Sequence, residues 1–149
     1  MGEAETTKSV TQETPARAAQ AEVRAWLLGA LGWAVPGLGH LVQKKFDRAL
    51  VFFFSIVPMA GLGLAMGGKL YRPPFDWSEG MFANLLHILA FLGDLGAGAL
   101  FFVGEFAGLG HSYMNRALGD YGTVFFLGAG LLNLLTALDA YDIAAGKKE

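Results

Sequence analysis

The 149-residue chain contains no cysteine, which excludes disulfide bridges, iron–sulfur clusters and thiol chemistry and leaves the compartment open. Charge is scarce too. Asp, Glu, Lys and Arg make up 16% of the residues, where a soluble domain carries about a quarter. The net charge of -2 lacks the basic footprint of a nucleic-acid binder, so no nucleic-acid partner is expected. Histidine occurs only three times, and no HExxH or comparably spaced metal motif is present. No catalytic residue, metal or cofactor is therefore expected, and the chain reads as a non-enzyme.

What remains is apolar. Hydrophobic residues make up 54% of the chain, with 21 glycines and 12 phenylalanines, and the mean hydropathy is +0.43. This is the balance of a bilayer protein, in which glycine is commoner within helices than in soluble folds. Residues 1–14 are polar and mixed in charge and read as a disordered tail. They lack the basic start of a signal peptide, and Pro36 sits awkwardly for cleavage after Ala34.

Thr14-Pro15 has the form of an N-cap with proline at the first helical position. From there a membrane domain is expected over 15–146, with helices at 15–43, 49–68, 80–107 and 121–145, and a basic tail at 147–149. Residues 25–43 carry no full charge, enough for about 28 Å of helix. Pro36, Gly37 and Gly39 weaken its last third, so the first helix is expected either to kink there or to insert only partway. Pro58 is expected to kink the second helix. Trp26, Trp33, Tyr113, Tyr121 and Tyr141 suit the membrane interface.

One word is repeated. Gly37-Leu38-Gly39-His40, preceded by Pro36, returns as Gly108-Leu109-Gly110-His111. Each copy follows an apolar run and precedes Arg-Ala-Leu (48–50 and 116–118) and then Val-Phe-Phe (51–53 and 124–126). The architecture this predicts is all-α: four transmembrane helices arranged as two similar helical hairpins. His40 and His111 could be joined by Asp47, Glu105 or Asp120 in a surface site, since imidazole titrates near neutral pH and binds metals. The competing reading is structural, with each histidine ending a helix at the negative end of its dipole.

Orientation hangs on the first helix. Lys44, Lys45, Arg48 and Arg116 fall on one side, and Lys69, Arg72, Lys147 and Lys148 on the other. Lys8, Arg17 and Arg24 break the tie: both termini are cytoplasmic if the first helix spans, and the orientation inverts if it dips and returns. In either case a hairpin of helices two and three places His40 and His111 on the same face.

Residues 33–54, from Trp33 through the Pro-Gly-Leu-Gly-His turn and Lys44-Lys45-Phe46-Asp47-Arg48 to Phe54, resemble a signature of small bacterial multi-pass membrane proteins of unknown function. In these a Pro-Gly-x-Gly-Gln/His turn joins two hydrophobic helices. The stretch is also similar to the two-transmembrane-helix domain family, which carries a Gly-x-Gly-x-His turn and an Asp-Arg-Phe motif; here the order is Phe46-Asp47-Arg48. Leu138 to Lys147 resembles the ending of one such uncharacterised bacterial family. The resemblance implies a multi-pass protein of the bacterial inner membrane, with no catalytic residues to carry over.

The third run holds the less usual feature. Asn84, His87, Phe91, Asp94, Gly98, Phe101 and Glu105 follow at spacings of three or four and would share one face of a single helix. A carboxylate such as Asp94 inside a membrane costs several kcal/mol unless neutralised, paired or wetted. Asn133 and Thr136 are expected to complete a polar core with this stripe. Two functions follow. One is a structural or accessory subunit whose buried polar groups lock helices together, with the lipid bilayer, itself or a larger membrane complex as partner. The other is a small oligomeric transporter or channel with a proton or solute path along Asn84, His87, Asp94 and Glu105.

Overall fold

The structure, a computed structural model, describes residues 15–73, 78, 80–110 and 116–148. The segment 1–14, His111 and Tyr113 lie outside the described residues. Among these residues every regular element is helical: α1 (Pro15–Ala34), α2 (Leu38–Val42), α3 (Phe46–Ala65), α4 (Met81–Leu95), α5 (Ala99–Phe106) and α6 (Arg116–Ala144). Two of them, α3 and α6 from Ala117, are long and apolar enough to cross a membrane, and α4 with α5 would make a third span if the bent pair counts as one.

Two of the four expected runs are thus divided, each at glycine. The first stops at Ala34, where Pro36 cannot supply a helical N–H, and resumes after Gly37 at φ 82°. The third breaks at 96–98, where Gly98 holds φ 63°, and α4 and α5 meet at a bend of 103°. Both hinges need glycine because a side chain in the left-handed region is strained. Space excludes one as well: a Cβ on Gly37 would lie 2.5 Å from the Ala49 carbonyl, and one on Gly98 would fall on the Trp33 carbonyl. By contrast α3 continues through Pro58 as one helix.

The long helices α3 and α6 run antiparallel. Arg48 near the start of α3 lies 3.8 Å from Asp139 near the end of α6, while Gly63 near its other end sits against Gly122 and Phe126. Against this pair α1 descends from Tyr141 beside Gly29 to Asn133 beside Trp33, and α2 doubles back so that Gly39 faces Leu28, Gly32 and Ala140. From the opposite end α4 runs parallel to α6, with Gly93 beside Leu127 and Gly96 beside Gly130. After the bend α5 returns, placing Gly104 against Leu64 and Leu70 and Gly110 against Leu70.

Around a few large apolar side chains, Ile56, Leu70, Phe101 and Phe126, much of the interior is small or polar. Ala25, Ala49, Ala60, Ala97, Ala129 and Ala140 are buried together with His40, Asn84, Asp94, Asn133 and Thr136, whereas Phe54, Val51, Leu62, Leu131, Leu135 and Leu138 are exposed. Burial of polar groups beneath an apolar exterior reverses the water-soluble pattern. It suits a lipid solvent, where small residues let helix backbones approach closely.

The hinge at Gly98 makes a testable point. Gly98→Ala combines left-handed strain with a collision and should lower stability by about 3 kcal/mol or more. Gly108 has a similar φ of 66° but no atom of the described residues within 4 Å of an added methyl, so Gly108→Ala should cost only about 1 kcal/mol. Thermal unfolding in mild detergent measures both, and equal effects would refute the close contact with α1.

Candidate functional site

The two turn-back points meet beside the middle of α6, and side chains tie them together. Asn133 donates from Nδ2 to the carbonyls of Trp33, at 2.8 Å, and Gly96, at 2.9 Å. Trp33 returns the link, its indole Nε1 donating to the Leu95 carbonyl at 3.0 Å. Helix ends leave carbonyls without intrahelical partners, and in this buried junction side chains supply the missing donors. Thr136 spends its hydroxyl on the Leu132 carbonyl one turn back.

A second polar group lies where α4 faces the segment after α3. The Tyr71 backbone N–H donates to Asp94 Oδ2 at 2.8 Å, and the Tyr71 ring lies 5.5 Å from the His87 ring. Next along the chain, Arg72 donates to Glu105 Oε2 at 2.8 Å. Asn84 donates from Nδ2 to the Gly80 carbonyl. Asp94 is fully buried, and its Oδ1 has no hydrogen-bond partner among the described residues. The expected stripe therefore does not lie on one helix face: the break at 96–98 puts Glu105 on the returning limb. Consecutive residues Tyr71 and Arg72 bring it back near Asp94.

The third group gathers around His40, which is fully buried in α2. Its Nε2 donates to Asp139 Oδ2 at 3.0 Å, and its ring packs 5.0 Å from Phe52. Asp139 also meets Arg48 and accepts from Lys148 at 3.1 Å, a bond that holds the Lys148 ammonium above its ordinary pKa. Gln43 donates to the carbonyls of Gly39 and Ala140, closing α2 onto α6. The partner of His40 is thus Asp139, in place of Asp47, Glu105 or Asp120.

The repeated turn separates as well. Pro36, Gly37, Gly39 and His40 sit at the end of the bundle where α3 begins, whereas Gly108 and Gly110 follow α5 at the end where α3 finishes. The expectation of a shared face relied on a straight third helix, and the bend removes that support.

A model of a family of unknown function, DUF6677, matches residues 27–149. The chain belongs to the DUF6677 family. No curated protein and no solved structure matches it. In this DUF6677 chain the match begins at Leu27, about where α1 reaches its contacts with α6, so it takes in all three polar groups. Among the described residues of the DUF6677 chain, no three His, Asp or Glu side chains converge as metal ligands. Sequence reasoning passed over Tyr71, Trp33 and Asp139 as partners. Only Asp139 left a trace, as one of two acids just before a basic pair in an otherwise apolar helix.

The junction at Asn133 can be weighed directly. Asn133→Leu leaves the buried Trp33 and Gly96 carbonyls without their donor and should destabilise the fold by about 1–3 kcal/mol. Thr136→Val, which removes a bond within one helix, should cost less. Denaturation in mild detergent followed by circular dichroism checks the order, and Thr136→Val as the costlier change would remove Asn133 from this role.

Proposed function

We propose that this chain is a non-enzymatic multi-pass membrane protein, a structural or accessory subunit acting through helix contacts with itself or a larger membrane complex. The observation that carries it is the use of the buried polar groups. The buried Asn133, Asn84 and Thr136 and the half-buried Gln43 donate to backbone carbonyls, so their polarity is taken up within and between helices instead of lining a path. Lipid-facing Leu and Phe on both long helices leave helix contacts as the means of action.

In the proposed topology α3 and α6 cross the bilayer, while α1–α2 and α4–α5 enter from opposite faces and turn back near mid-depth. The chain is then two similar units of inverted orientation, each a helix, a short returning helix and a spanning helix that opens with Arg-Ala-Leu. Arg17, Arg24, Lys44, Lys45, Arg48, Lys147 and Lys148 lie on one face and Lys69, Arg72 and Arg116 on the other, seven bases to three. That excess assigns the first face to the cytoplasm, in a bacterial inner membrane. The native absence of cysteine allows single-cysteine labelling. With a membrane-impermeant maleimide applied from outside, Lys69→Cys should react, while Lys44→Cys and Lys148→Cys stay protected until the membrane is opened. Positions 69 and 148 behaving alike, both reacting or both protected, would support four full crossings and refute the two turn-backs.

A proton or solute path is the second reading, and the Oδ1 of buried Asp94, without a hydrogen-bond partner among the described residues, is the observation on its side. Reconstituted vesicles decide between the two. The accessory reading expects no proton flux above empty vesicles, and a defined complex or self-assembly on purification in mild detergent. A flux abolished by Asp94→Asn would overturn it.

A further inference from the structure

A groove of about 290 Å³ opens on the outer surface between α1 and α6. Its floor is Gly29 and Ala137, the exposed Ala30 lies at its rim, and its walls are Trp26, Trp33 and Tyr141. The Trp26 and Tyr141 rings meet at 4.9 Å at the end nearest the basic face, where Lys147 Nζ lies 4.9 Å over the Tyr141 ring. From Tyr141 to Leu134 the slot follows α6 for about 10 Å along the axis. Helix pairs in membranes meet where small residues stand proud enough for backbones to touch. Here the small residues are recessed between bulky rings, leaving room for a chain and not for a helix.

We infer that this groove binds one anionic phospholipid of the surrounding bilayer, an acyl chain lying over Gly29 and Ala137 and the phosphate at Lys147. Charge complementarity selects the anionic class. Among the described residues at this end Arg17, Arg24, Lys44, Lys45, Arg48, Lys147 and Lys148 outnumber Glu22, Asp47, Asp139 and Asp142. Lys147 is exposed, and its pairing with Asp142 is a loose 3.9 Å, so it can turn to a phosphate. Trp26, also exposed, is the amphipathic aromatic type that anchors at the membrane interface. The inference rests on the membrane reading and is independent of whether the chain serves a larger complex.

Native mass spectrometry of the full chain in mild detergent, titrated separately with phosphatidylglycerol and phosphatidylcholine, tests it. One phosphatidylglycerol should bind in preference to phosphatidylcholine, and Lys147→Gln should reduce that preference by about fivefold, the contribution of one lysine at a lipid surface. Ala30→Phe fills the slot from an exposed position and should weaken binding of both lipids, with an unchanged thermal midpoint reporting an intact fold. Equal affinity for the two lipids would overturn the inference. So would unaltered binding in Ala30→Phe, or a dimer that Ala30→Phe dissolves, which would make a second copy the occupant. The labelling of positions 44, 69 and 148 reports separately on the membrane arrangement beneath it.

Discussion

A backbone carbonyl at a break in a buried helix needs a donor from elsewhere, and Asn133 supplies two such donors at once. By bonding to Trp33 and Gly96 it fastens the ends of α1 and α4 to α6 and to each other. Trp33, donating to Leu95, completes a closed circuit of three helices. Without it the two turn-backs would present unpaired carbonyls to an apolar interior, at a cost of about 1–3 kcal/mol for each orphaned group. The rest of the fold follows from that junction. It makes broken helices tolerable where a continuous helix would otherwise be the only satisfied backbone.

Around the junction the forces are those of contact and not of water exclusion. Lipid tails are as apolar as leucine, so burying Leu or Phe gains little, and helix association rests on close packing and hydrogen bonds. Glycine and alanine occupy the interfaces of α6 with α1, α3 and α4 for this reason. Among the described residues the ion pairs gather at the two ends. At one, His40, Arg48 and Lys148 converge on Asp139; at the other, Arg72 pairs with Glu105.

Much of the helical content was legible in the residues. The apolar runs at 49–68 and 121–145 appear as α3 and α6 with shifted ends, since periodicity and length are local properties. Pro36-Gly37 announced the end of α1, because proline and glycine act on their own backbone. The break at 96–98 was harder. In sequence Gly96 and Gly98 look like Gly61 and Gly63, which remain inside α3 without interrupting it, Gly63 packing against Gly122 and Phe126. Whether glycine hinges or packs depends on what lies opposite, and Trp33 is distant in sequence.

The polar groups divide along the same line. Residue type and apolar surroundings singled out Asp94, Asn84 and Asn133, all of which are buried. Their partners are backbone groups of Tyr71, Gly80, Trp33 and Gly96, and every residue but proline offers the same N–H and every residue the same carbonyl, so composition cannot mark them. The residues alone pointed to an apolar helical chain, a break or kink at Pro36-Gly37 and four spanning helices, where two are long and apolar enough to cross, or three if the bent pair counts as one. Packing between distant segments settled that the third run folds back, that His40 meets Asp139, and that the bases at 44, 45 and 48 share an end with those at 147 and 148. Those outcomes depend on which segments lie side by side, and a bend of 103° at three residues reverses the end to which everything after it belongs.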